Sequence, residues 1–238
     1  MAYQAVFKRY EIKYMLTEQQ KQRVLAAMAP YMKLDKYGRT TIRNLYFDTE
    51  NYRLIRRSIE KPAYKEKLRI RSYRQVSVGD AVFVELKKKY KSVVYKRRLS
   101  MTEAEALNWL CGSGTVEDSQ IAREIAYFKD FYKGLRPTVF LSYEREAYYS
   151  LDGSDFRITF DNHIYCRRQD LSLESPPGGT PLLEEGKVMM EIKTSGGIPL
   201  WMTAVLSQEK IYKTSFSKYG TAYQTMIFPE WQGGHVHA

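Results

Sequence analysis

The residues of this sequence that could do chemistry are cations at alternate positions, interrupted by single carboxylates. Between Tyr64 and Tyr73, Lys65, Lys67, Arg69 and Arg71 alternate with Glu66, Leu68, Ile70 and Ser72. Glu11 precedes Lys13, Glu85 precedes Lys87, and Glu191 precedes Lys193, each pair two residues apart and so on one side of an extended chain. Arginine forks and lysine point charges together hold phosphate. Carboxylates on the same surface repel a phosphate chain unless a divalent cation lies between them. The mixture therefore points to a metal-associated polyanion, and away from nucleic acid lying on a purely basic face. No competing chemistry is visible: there is no glycine-rich phosphate loop and no Ser/His/Asp set. Cys111 and Cys166 have no partners at metal-ligand spacing, which excludes a disulfide scaffold and a zinc ribbon.

Such alternation requires β-strands with one charged and one apolar face. Strands are expected at Phe7–Tyr14, Tyr64–Tyr73, Val82–Tyr90, Val93–Leu99, Thr138–Tyr148, Phe156–Ile164 and Val188–Thr194. Tyr64–Tyr73 and Val82–Tyr90 read as a hairpin around Val78-Gly79-Asp80. Amphipathic helices are expected over Thr17–Ala29, with a Thr17/Gln20 capping box, and over Thr102–Leu110, with a Thr102/Glu105 box. Two more are expected over Val116–Tyr132 and Ser217–Met226. The Pro/Gly-containing stretch Ser172–Thr180 is too short to separate domains and reads as a loop. An ordinary sheet packed on helices would wet such a charged face, and the apolar helix positions need no role beyond the core.

The 238 residues carry 38 Lys+Arg against 27 Asp+Glu, a net charge of +11, and are 44% hydrophobic and 14% aromatic. That composition suits a folded chain with a substantial core and excludes a disordered basic tail. No apolar run reaches membrane-spanning length and the opening MAYQAVFKRYEIKY has no signal-peptide core, so a cytoplasmic setting is expected.

Taken in order, Phe7-x-Arg9-x-Glu11-x-Lys13-Tyr14, Asn44-Leu45-Tyr46-Phe47-Asp48-Thr49, Lys67-Leu68-Arg69-Ile70-Arg71, Glu85-Leu86-Lys87, Tyr95-Lys96-Arg97-Arg98, Tyr143-Glu144-Arg145, Asp161, Glu191-Ile192-Lys193 and Ser215-Phe216-Ser217-Lys218-Tyr219 form a familiar series. It resembles the VTC domain, the polyphosphate polymerase domain of the vacuolar transporter chaperone complex. That domain belongs to the triphosphate tunnel metalloenzyme (CYTH-like) superfamily. The domain is expected over residues 1–227, with 228–238 as a flexible tail. The resemblance implies an α+β fold: a closed antiparallel eight-stranded β-barrel tunnel with a charged lumen, covered by amphipathic helices. It implies ATP and linear polyphosphate as partners, Mn2+ or Mg2+ as cofactor, and transfer of the ATP γ-phosphoryl group to a growing chain with release of ADP. By the same resemblance Lys13, Arg69, Arg71, Lys87, Lys96, Arg145 and Lys218 form the catalytic cage. Arg9, Lys67, Arg98, Tyr143, Lys193 and Ser215 hold phosphates, and Glu191 and Glu11 hold the metal.

Two positions depart from the pattern. Arg9 stands where the wider superfamily opens with the first Glu of Glu-x-Glu-x-Lys, which favours the VTC branch and removes one metal ligand. Ser215 stands where the polymerase has the first of two lysines three apart, the second matching Lys218. The SPX domain and membrane helices of the eukaryotic proteins have no counterpart here, so no membrane segment is expected and any membrane-associated partner is left open. Two alternatives share the same residues: a metal-dependent tripolyphosphatase or nucleoside triphosphatase, and a non-catalytic polyphosphate-binding module. Nucleic acid is not an expected partner.

Overall fold

A computed structural model describes residues 10–91 and 93–230. Strand β1 (Tyr10–Thr17) leads into helix α1 (Glu18–Met28), followed by the long β2 (Met32–Asp48) and the short α2 (Arg53–Ile59). β3 (Tyr64–Ser72), β4 (Ala81–Tyr90) and β5 (Val93–Thr102) form a meander, then come α3 (Glu103–Cys111) and α4 (Gln120–Tyr132). β6 (Arg136–Ser150), β7 (Arg157–Arg167), the two-residue β8 (Thr180–Pro181) and β9 (Lys187–Thr194) precede α5 (Leu200–Gln208). A two-residue β10 (Lys213–Thr214) and α6 (Lys218–Ala222) follow, and the helix runs on through a π turn at Tyr223–Ile227 to Glu230.

The strands form one antiparallel sheet in the order β10-β1-β9-β7-β6-β2-β3-β4-β5, with β8 beside β7. The closed eight-stranded barrel expected from the resemblance does not form. The sheet has ten strands and is open: among the described residues β5 pairs only with β4, and β10 only with β1. A barrel needs every strand bonded on both edges, and a two-residue β10 offers too little backbone to carry a second ladder. The sheet is nevertheless strongly rolled. β1 and β4 stand six places apart in the strand order, yet Lys87 of β4 reaches Glu11 of β1 at 2.9 Å. Side chains bridge where backbone hydrogen bonds would otherwise close the ring.

Alternation sorts the two faces as expected. The outer face is apolar: Leu68, Ile70, Val84 and Leu86 pack under Trp109 of α3 and Ile125 and Phe128 of α4. Leu16, Ile158, Phe160, Met190 and Ile192 pack under Val24 and Met28 of α1 and Met202 of α5. Both capping boxes are present, with Thr17 accepting from the Gln20 amide and Thr102 from the Glu105 amide. α4 starts at Gln120 rather than Val116 because Ser119 caps it, accepting from the Ala122 amide at 3.1 Å.

The inner face is charged along β1, β3, β4, β5, β6, β7 and β9, and at one end it is covered by the C-terminal helix. There Tyr219, Ala222, Tyr223 and Ile227 pack on Tyr46, Val139, Leu141 and Cys166. One buried carboxylate fixes this seat: Asp48 accepts from the Leu54 and Ile55 amides that begin α2, and from the Tyr219 hydroxyl at 2.9 Å.

Candidate functional site

Antiparallel register places the cations of the inner face in rungs. Lys67, Lys87 and Lys96 lie side by side across β3, β4 and β5, and Arg69, Glu85 and Arg98 form the next rung. Like charges directly opposite are destabilising in a sheet, so the lysine rung is a cost the fold bears for another reason. Glu85, fully buried, is the hub of one cluster. Arg69 grips its Oε2 through Nε at 3.0 Å and Nη2 at 2.7 Å, while Arg98 and Lys96 both reach Oε1 at 2.5 Å. Arg71 lies 3.8 Å from the same carboxylate and is held by Asn44 and the Tyr143 hydroxyl. The Tyr46 hydroxyl accepts from Arg69.

A second cluster forms across β1, β6, β7 and β9. Arg145 makes a bidentate pair with fully buried Asp161 at 2.6 and 2.7 Å, and Lys218, at the start of α6, meets Asp161 at 2.5 Å. Glu191 lies within 4 Å of Lys13, Lys193, Arg145 and Lys218. Lys13 also donates to the Phe216 carbonyl, and Lys67 donates to Ser217 Oγ, both at 2.8 Å. The segment before α6 thus lies across the charged face. Tyr143 joins the clusters: its hydroxyl accepts from Arg71, and Lys218 and Arg145 stand over its ring at 4.4 and 5.1 Å.

The electrostatics record a surplus of cations. Lys67 has no carboxylate in ion-pair range among the described residues, and burial with the neighbouring Lys13, Lys87, Lys65 and Arg69 holds it far below the usual lysine range. Burial, opposed by Glu85 and reinforced by Arg69 and Arg71, brings Lys96 down to about 7. For Tyr143, burial is outweighed by Arg71, Arg145 and Lys218, which bring it down to about 8. Burial alone would raise Glu11, but Lys87 and Lys193 bring it down to about 2. Glu85 and Glu191 are likewise held well below the carboxylate range by their cations, against burial. Lysines pushed down and carboxylates held charged describe a surface short of negative charge.

Nearly every residue expected at the site reaches this face: Lys13, Lys67, Arg69, Arg71, Lys87, Lys96, Arg98, Tyr143, Arg145, Lys193 and Lys218, with Glu11 and Glu191. Arg9 lies outside the described residues. Ser215 is exposed, and the nearby hydroxyl that touches the cage is that of Ser217. Glu85 and Asp161, the two hubs, are not among the expected site residues; their parity puts them on this face, but no sequence signal marks them as hubs. Asn44 and Tyr46, which orient the arginines, carried no signal beyond the resemblance.

A divalent metal finds only part of a shell. No group of three or more His, Cys, Asp and Glu side chains converges as a metal cage among the described residues. Glu191 and Asp161 do share Arg145 and Lys218 as partners. Such a pair fits an ion that takes one or two carboxylates and completes its shell with phosphate oxygens and water.

The fold of this antiparallel sheet with its helices is shared with solved structures. A candidate adenylate cyclase from Bacillus halodurans superposes with a TM-score of 0.55 at 13% identity, over 90% of this chain and 96% of that one. A candidate adenylyl cyclase from Hippeastrum, described as having a dominant triphosphatase activity, gives 0.53 at 17%, over 92% and 96%. A search of curated proteins finds no significant match. The family model of the VTC domain matches residues 8–227, and the chain belongs to that family.

Proposed function

We propose that the charged inner face binds ATP and transfers its γ-phosphoryl group to a linear polyphosphate chain. A terminal oxygen of the acceptor forms the new bond to the γ-phosphorus. The bond from that phosphorus to the bridging oxygen breaks, and ADP leaves with the electron pair. The observation that carries this reading is Lys67, a partly buried lysine at one end of a rung of three lysines, which donates to Ser217 and has no carboxylate in ion-pair range among the described residues. A triphosphate supplies the missing charge.

Phosphoryl transfer asks mainly for positioning and charge neutralisation. Arg69, Arg71, Arg98 and Arg145 present planar forks, and Lys13, Lys67, Lys87, Lys96, Lys193 and Lys218 present point charges. Tyr143, its oxygen already accepting from Arg71, keeps its proton to donate to a phosphate oxygen. Glu191, with Asp161 or Glu11 as the second carboxylate, would hold Mn2+ or Mg2+, which would supply charge neutralisation at the transferring group. Ser215, exposed and next in sequence to Phe216 whose carbonyl accepts from Lys13, would contact the phosphate chain outside the cage. Carboxylates among the cations argue against nucleic acid as the partner. No described helix is long and apolar enough to cross a membrane.

Water as acceptor is the second reading. The Hippeastrum neighbour shares the fold and is described as a triphosphatase, and the same cage would serve hydrolysis. Purified protein incubated with ATP and Mn2+ or Mg2+ separates the outcomes. Long-chain polyphosphate with ADP supports transfer, and free phosphate alone supports hydrolysis. Neither product, with tripolyphosphate still bound, leaves a binding module. Glu191→Gln is expected to abolish metal-dependent turnover while tripolyphosphate still binds; unchanged turnover would remove Glu191 from the metal site.

A further inference from the structure

The C-terminal helix packs across one end of the inner face of the sheet. On its near side Lys218 enters the cage. On its far side, where β6 begins and β7 ends, a cleft of about 640 Å³ opens between the strand ends and the helix. Arg136, Arg167 and Arg168 line it with Tyr52, and among the described residues Glu230 is the sole carboxylate in its wall. None of the described cage residues lines this cleft.

The guanidiniums are unequally engaged. Arg167 stacks on Phe140, donates to the carbonyls of Asp170, Ser172 and Pro176, and lies 3.5 Å from the Asp170 carboxylate, so it offers charge and shape rather than free donors. Among the described residues Arg136 forms an ion pair with Glu50 alone, at 3.6 Å, with both side chains more than half exposed; such a pair contributes little. Arg168 is poised: Nη1 pairs with Glu230 and Nη2 donates to the Tyr52 hydroxyl at 3.0 Å. Tyr52 holds that position with a left-handed φ of 57°, a conformation that costs a bulky residue energy. The same wall includes the apolar side chain of Met226.

We infer that this cleft is a second oxoanion site, separate from the cage, which takes a small phosphorylated ligand. Its phosphate oxygens sit on Arg136 and Arg168, displacing Glu230, and the remainder of the ligand lies against Met226. Arginine forks match phosphate oxygens two at a time, and the cleft has room that a surface ion pair lacks. The inference does not depend on the transfer reaction.

Calorimetric titration of the full chain with inorganic pyrophosphate tests it. The wild type is expected to show two classes of site, and Arg136→Ala/Arg168→Ala is expected to lose one. Loss of Arg168 also removes a tether of the helix, so Glu230→Gln provides the decisive arm. It breaks the same ion pair yet frees Arg168, and is expected to tighten the second class severalfold. Weaker binding in Glu230→Gln, or an isotherm unchanged in the arginine variant, would overturn the proposal. A single class that disappears in the arginine variant would leave the cleft standing and count instead against anion binding by the cage.

Discussion

Two residues show how the face is balanced before any ligand arrives. Glu85 is fully buried and holds Arg69, Arg98 and Lys96, with Arg71 close by. Removing one member of a buried ionic cluster leaves the others uncompensated, at a cost of about 3–5 kcal/mol. Glu85→Gln is therefore expected to lower the thermal midpoint sharply and to be rescued by tripolyphosphate more strongly than the wild type. Equal stabilisation of both proteins would contradict its role as an internal stand-in for substrate charge. Lys96 gives the pH dependence. Its pKa in the folded chain is about 7 against an ordinary 10.5, so between those values the unfolded chain holds a proton that the folded one lacks. Stability without ligand contributed by this group then rises with pH across that window. A bound polyanion reverses the shift for Lys96, and also raises Tyr143 from about 8. Tripolyphosphate binding at pH 8 is thus expected to take up protons, read as a dependence of the calorimetric heat on buffer ionisation enthalpy; net release would refute it.

At the scale of elements, the C-terminal helix links core and site. It presents Lys218 to Asp161 while its next residue, Tyr219, bonds Asp48. Asp48→Ala removes the anion that caps α2 and seats Tyr219. It is expected to cost about 1–3 kcal/mol, the range for leaving buried donors unsatisfied, and to reduce turnover because Lys218 loses its footing. Turnover unchanged at full folding would separate helix seating from catalysis. This coupling was invisible in the sequence, because a cap supplied from Asp48 to the amides of Leu54 and Ile55 leaves no local capping signature. α2 itself was missed for that reason and because seven residues show no period. α5 was missed because LWMTAVLSQ is apolar on most sides and has no polar stripe. By contrast α1 and α3 were legible from capping boxes formed within four residues, and β3 to β5 from strict alternation.

For the molecule as a whole, parity revealed which side chains share a face but not whether the sheet closes. Closure depends on how much backbone each edge strand offers, and the two-residue β10 has no sequence signal that separates it from a loop. The site was legible as a list of cations; its hubs were not, because Glu85 and Asp161 become central only once four cations converge on Glu85, and Arg145 and Lys218 on Asp161. What the rolled sheet achieves is a concentration of positive charge on one narrow face, in which Lys67 has no carboxylate partner among the described residues. The most direct measurement is polymer formation from ATP with Mn2+, followed side by side in the wild type and in Lys67→Ala. The account predicts long-chain polyphosphate with stoichiometric ADP from the wild type and a loss of at least tenfold in Lys67→Ala, about 1.4 kcal/mol of transition-state stabilisation. No polymer from the wild type, or equal polymer from the variant, would contradict it.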